Sequence, residues 1–168
     1  MLTLRSFATA DENAALAAEK ELRAEGRRLL LDYVDGEPWE GYLSRVEANR
    51  RGEQLRRGWV ALTLLAVTVD DKLVGAISIR HELNDWLARY GGHIGYAIVP
   101  SQRRKGYATE ALRQGLLVAG SIGIDAVLVT CDADNVASAR VIEKCGGEFE
   151  SVTDAAKGVA PKRRYWIR

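Results

Sequence analysis

The stretch from Val99 to Leu112, VPSQRRKGYATEAL, sets three adjacent bases, Arg103, Arg104 and Lys105, directly before a glycine and the start of a helix. Like charges repel, so this cluster points to an anion close by. A helix N-terminus adds unpaired backbone N–H groups and the positive end of the helix dipole at the same place. Gly106 and Ala108 carry little or no side chain, so a bulky anion can lie against the backbone. This is the chemistry of a diphosphate cradle. Neither a Walker loop, Gly-x-x-x-x-Gly-Lys-Ser/Thr, nor a dinucleotide fingerprint, Gly-x-Gly-x-x-Gly after a first strand, is present.

The elements that must position this cradle are legible around it. A strand is expected at Leu2 to Phe7, then a helix behind a Thr9–Glu12 capping box. A short acidic break, DYVDGEP, leads to a second helix with Pro38 at its first position and Trp39, Tyr42, Leu43 and Val46 on one face. Strands at Trp59 to Val69 and Leu73 to Arg80, joined by DDK, read as a hairpin. The strand HIGYAIV feeds the cradle, and a helix from about Tyr107 to Gly120 follows. AVLVTC reads as a strand buried on both faces, NVASARVIEKCGG as a capped helix with a glycine stop, and EFESV and RRYWIR as closing strands. Strand–helix–strand–helix order in the second half implies a crossover and a parallel strand pair. The expected fold class is therefore α/β (α+β): a mixed central sheet with antiparallel N-terminal strands and a parallel pair around a cofactor cleft.

Composition narrows the classes. A length of 168 residues with 47% hydrophobic content predicts a single domain over 1–168 with its own core. A formal net charge of +1 gives no overall field toward nucleic acid or a membrane surface. Arginines at 50, 51, 56, 57, 163 and 164 come without a stacking motif, which argues against nucleic-acid binding. The longest strongly apolar uncharged run, GWVALTLLAVTV, is too short to span a bilayer, and no signal-peptide pattern opens the sequence. Cys131 and Cys145 read as reduced thiols, and two separated histidines form no metal cluster. A cytoplasmic protein without a metal is expected, with a homodimer left open.

Arg103-Arg104-Lys105-Gly106-Tyr107-Ala108, after a strand ending in Val99-Pro100, is similar to the Gln/Arg-x-x-Gly-x-Gly/Ala signature of the GNAT superfamily of acetyl-CoA-dependent N-acetyltransferases. Asn135 and Ser138 match its downstream Asn-x-x-Ser/Ala, and Glu143-Lys144-Cys145-Gly146 its Glu-Lys-x-Gly. The element order fits across nearly the whole chain. The resemblance implies acetyl transfer from acetyl-CoA to a primary amine by direct attack in a ternary complex. A non-catalytic acyl-CoA-binding or regulatory module on the same fold is the alternative.

Carried over, the resemblance assigns the amides from Arg104 to Ala108 to the pyrophosphate and the Thr109 hydroxyl to the same phosphates. Ile98 and Val99 would pair with the pantetheine arm, the N–H of Val99 facing the thioester oxygen. Asn135 and Ser138 would line the far side of the cleft, or simply cap a helix. Many relatives place a tyrosine seven residues beyond this asparagine as the acid for the departing thiolate; Ile142 stands there, leaving Tyr96, Tyr107 or water. The base that takes the amine proton is sought among Glu82, His81, Asp85, His93 and Asp132, with His81 and Glu82 leading. The first two helices wall the acceptor site in this family. Their connection offers Asp32, Asp35, Glu37, Glu40, Tyr33, Trp39 and Tyr42, either to attract a cationic amine or to cap and pack a helix.

Overall fold

The computed structural model describes residues 1–168, built on a seven-stranded sheet of order β1-β2-β3-β4-β5-β7-β6. Its strands are β1 (Leu2–Arg5), β2 (Leu62–Val69), β3 (Lys72–Arg80), β4 (Ile94–Ile98), β5 (Val127–Asp132), β6 (Glu148–Val152) and β7 (Lys162–Ile167). The helices are α1 (Glu12–Arg23), α2 (Trp39–Arg50), α3 (Tyr107–Ser121) and α4 (Val136–Lys144). All neighbouring strands run antiparallel except β4 and β5, the expected parallel pair. None of the helices is long and apolar enough to cross a membrane.

Local chemistry explains the joints. The β2–β3 hairpin turns on Asp70 and Asp71, whose φ values of +48° and +63° suit the twist of a two-residue hairpin. Entry into α1 differs from expectation. The Thr9–Glu12 box does not form; the Asp11 carboxylate accepts from the Ala8 N–H at 2.7 Å and is gripped by Arg5 at 2.6 and 2.8 Å. A bidentate arginine is the stronger partner, so it decides where the turn sits.

Strand alternation then sorts the side chains into two cores. Leu62, Leu64 and Ala76 face α1 and α2 with Leu22, Trp39 and Tyr42, while Ile77, Ile79 and Ile94 face α3 and α4 with Leu112 and Ile142. Each fully buried large side chain is worth roughly 1.5–3 kcal/mol, so this sorting fixes the register of β3 firmly.

Three of the four acids read in the connection between α1 and α2 are not free, and the fourth, Glu40, lies exposed in the first turn of α2. Asp35 pairs with Arg23 at 2.8 Å, Glu37 with Arg45 at 2.7 Å, and Asp32 with Arg45 and Arg56. Tyr33 and Tyr42 meet edge to face at 5.2 Å, beside Trp39. Of the two readings of this segment, capping and packing is therefore the one its contacts support. The buried Glu19 ties the connection down, accepting from the N–H groups of Leu29 and Leu30 at 2.6 and 2.9 Å and pairing with Arg23 and Arg28.

Candidate active site

β4 and β5 touch at one register point, Ile94 opposite Val129, and part beyond it. His93 makes the junction. Its N–H donates to the Leu128 carbonyl at 2.7 Å, and its Nδ1 accepts from the Leu128 N–H at 2.9 Å. Gly92 allows this approach: its φ is +67°, and a Cβ there would lie 2.6 Å from the Leu128 oxygen. Burial, and then the charge of Arg80, lower the His93 pKa, which suits a ring nitrogen used as an acceptor. His93 therefore pins the base of the cleft, and its acceptor nitrogen is already occupied.

Beyond the pin the cleft has two limbs. One, a cavity of about 350 Å³, is lined by Tyr96, Ala97, Ile98, the Arg103–Thr109 segment apart from Lys105, and Asn135, Ser138 and Val141 of the opposite wall. The other, about 330 Å³, runs under the Arg27–Leu31 segment past Ser78, Arg80, Gly95, Thr130, Asp132 and Lys162. Arg27, Tyr96, Ala97, Asn135 and Ser138 border both limbs, so the two are continuous.

The cradle residues converge on the first limb. Gly106 takes φ +81° at the N-cap of α3, Arg104 takes φ +65°, and the first backbone bond of the helix is Glu110 N–H to Gly106 carbonyl at 3.2 Å. Consequently none of the backbone N–H groups from Arg104 to Thr109 has a protein acceptor. A Cβ on Gly106 would meet open space, so the glycine answers to backbone conformation and access rather than to crowding.

The three bases do not act as a set. Arg103 donates to Glu25 at 3.0 and 2.7 Å and to the Ile98 carbonyl at 3.1 Å, tying the end of α1 to the cradle. Lys105 turns away to Gln102 at 2.9 Å and the face of Tyr107. Arg104 lines the limb with no carboxylate partner, as does Arg27, a residue that sequence reasoning missed.

Val99 needs correction. In the antiparallel ladder with β3, Val99 N–H donates to Val74 carbonyl at 2.9 Å and Arg80 N–H to His93 carbonyl at 2.8 Å. Odd residues of β4 therefore bond β3, and the groups turned toward the cleft belong to Tyr96 and Ile98. One residue of register moves the cleft-facing N–H from Val99 to Ile98.

Opposite, Asn135 Oδ1 accepts from the Ser138 N–H at 3.1 Å and caps α4, so capping and cleft lining coexist in one side chain. Ile142 is fully buried in the α3–α4 core, so its position offers nothing to the cleft. Tyr96 stands there instead, its hydroxyl 3.4 Å from the Ser138 carbonyl and its pKa pushed up to about 12 by burial.

The expected acid–base residues divide. Asp132 borders the second limb and pairs with Lys162. His81 and Glu82 line neither limb. His81 has the parity of Ile77 and Ile79, so its ring turns to the α3 face, where Nε2 lies 2.9 Å from Thr63 Oγ1. Glu82 and Asp85 are exposed and have no hydrogen-bond partner in their side chains. Nowhere do three or more His, Cys, Asp or Glu side chains gather as a metal site.

An amide-lined anion cradle on one limb is continuous with a second limb across parted parallel strands, so one groove has room for two substrates. Residues 1–148 match the model of the acetyltransferase (GNAT) domain, and the chain belongs to that family. No curated protein matches the sequence. Among solved structures, RimJ of Mycobacterium smegmatis, in complex with CoA-disulfide, is similar with a TM-score of 0.71 at 19% identity, over 99% of this chain and 81% of its own. MccE, a microcin C7 self-immunity acetyltransferase in complex with acetyl-CoA and AMP, gives 0.67 at 19%, over 99% and 91%. RimL, a ribosomal L7/L12 alpha-N-protein acetyltransferase in complex with coenzyme A, gives 0.67 at 19%, over 99% and 93%. These likenesses identify the fold as that of GNAT acetyltransferases.

Proposed function

We propose that residues 1–168 act as one cytoplasmic N-acetyltransferase domain, moving the acetyl group of acetyl-CoA to a primary amine in a ternary complex. The observation that carries this reading is the run of backbone N–H groups from Arg104 to Thr109, all without protein acceptors and all at the N-terminus of α3. Such a run binds a pyrophosphate through oriented donors and the helix dipole. Arg104 and Arg27 supply the unpaired charge on that limb. Arg103 acts through Glu25 and the Ile98 carbonyl, as a brace of the cradle. The pantetheine arm extends along the free edge of β4, where Ile98 N–H faces the thioester oxygen as negative charge builds on it.

The amine enters by the second limb and attacks the thioester carbon; the C–S bond breaks and coenzyme A leaves as a thiolate. Tyr96, kept protonated at neutral pH by burial, delivers a proton to that sulfur. Asp132 is the one carboxylate bordering the second limb, and we assign it to the ammonium proton of the acceptor. The test is release of free thiol from acetyl-CoA across an amine panel. Amine-dependent release supports catalysis, whereas binding of acetyl-CoA with no release for any amine would leave a non-catalytic binding module.

A further inference from the structure

Arg80 ends β3 with its side chain lying across β4. Its guanidinium rests over Gly95, where a Cβ would stand 3.4 Å from Nη1 and 3.7 Å from Nη2. The missing side chain on Gly95 makes its slot. There the guanidinium reaches only the carbonyls of Gly91 and Gly92, through Nη1, at 3.5 and 3.4 Å, beyond good hydrogen-bonding distance. No carboxylate pairs with it, although Arg5, Arg28, Arg45, Arg103 and Arg164 each meet one. Burial lowers its pKa, as expected for a desolvated cation with no counter-ion.

A half-buried charge without a partner is costly, and this one opens onto the acceptor limb of the cleft and onto that limb's extension past Tyr90 and Val159. Of the other charges there, Arg28 pairs with Glu19 and Lys162 with Asp132, while Arg27 stands at the junction with the cradle limb, where the pyrophosphate would take its charge. We infer that Arg80 binds an oxyanion on the acceptor, so the substrates are small amines that carry a carboxylate or phosphate. Asp132 borders the same limb, its Oδ1 held by Lys162 and its Oδ2 in no hydrogen bond, which sets a carboxylate for the ammonium and an arginine for the oxyanion in one cavity. A polyamine would leave Arg80 unmatched and add like charge beside it.

The inference rests on the proposed acetyl transfer, and the experiment separates the two. Thiol release is followed with matched acceptors: amino acids against the amines left when the carboxylate is removed, O-phosphoethanolamine against ethanolamine, and spermidine. The expected result is a kcat/KM for the oxyanion-bearing member at least about tenfold above its neutral counterpart, the worth of one charge-assisted hydrogen bond. Whether carboxylates or phosphates lead identifies the source of the oxyanion. In Arg80→Met that preference collapses through KM, while calorimetric acetyl-CoA affinity is retained; Arg80→Lys, which keeps the charge, restores part of it. The parent panel decides even if a variant fails to fold. Equal or better turnover of neutral amines or spermidine would overturn the inference and leave acetyl transfer standing. No release with any amine would remove the transfer reading itself.

Discussion

His93→Ala removes the pin between β4 and β5. The Leu128 N–H, which donates to Nδ1 at 2.9 Å in a buried setting, is then left without its acceptor. An unsatisfied buried N–H costs about 1–3 kcal/mol. In a chain of this size each kcal/mol lowers Tm by about 2–4 °C, so a mid-range loss of about 2 kcal/mol gives a fall of ~4–8 °C. Differential scanning calorimetry at pH 7.5 reads the shift directly. A second signature lies in the pH dependence. Burial and Arg80 hold the His93 pKa below its ordinary 6.5, so the unfolded chain takes up a proton that the folded chain refuses. Parent stability is therefore full above pH 6.5 and is lost as pH falls through the window below it; His81, lowered mainly by burial, acts in the same direction. The variant lacks the His93 share of that loss. The gap in Tm between parent and variant should narrow from pH 7.5 to pH 5. A variant that melts with the parent at pH 7.5, or a gap that widens on acidification, refutes the pin.

The remaining expectations concern the chemistry. Asp132→Asn should lower turnover by about a hundredfold, the lower end for loss of a general base, with calorimetric acetyl-CoA affinity unchanged; full activity would move proton removal to water. Tyr96→Phe should cut kcat by a similar factor of about a hundred while KM for acetyl-CoA holds, and a retained kcat would free Tyr96 of the thiolate. Glu82→Gln and His81→Gln should keep the parent pH–rate profile, because neither side chain borders the cleft; a large loss in either would mean that the loop closes over the acceptor during turnover.

The cradle was legible in the sequence because its parts are local: a glycine, a helix start and small residues within one turn need no knowledge of register. The element order was legible for the same reason, from period and punctuation. What escaped depends on parity. Whether Arg80 or His81 enters the cleft, and whether Ile98 or Val99 offers its N–H, turns on a one-residue shift in strands whose pairing only the sheet reveals. The charge pattern was incomplete at two places. Arg103 beside Arg104 and Lys105 suggested joint anion binding, but Glu25 lies distant in sequence and close in space. The acids between α1 and α2 left a cation site and simple capping both open, and only the fold shows Arg23, Arg45 and Arg56 meeting Asp35, Glu37 and Asp32. Arg27 carried no signal at all, since only folding of its segment over the cleft gives it a place.

The central claim is that the free amides of the α3 N-terminus hold the coenzyme A pyrophosphate. Titrating acetyl-CoA into the ¹⁵N-labelled protein, with amide shifts and hydrogen exchange read residue by residue, tests it most directly. The amides from Arg104 to Thr109 should shift the most and exchange more slowly once acetyl-CoA is bound, with Ile98 following along β4. Saturating acetyl-CoA that leaves these amides in place and unprotected, or that moves a different surface, would contradict the account.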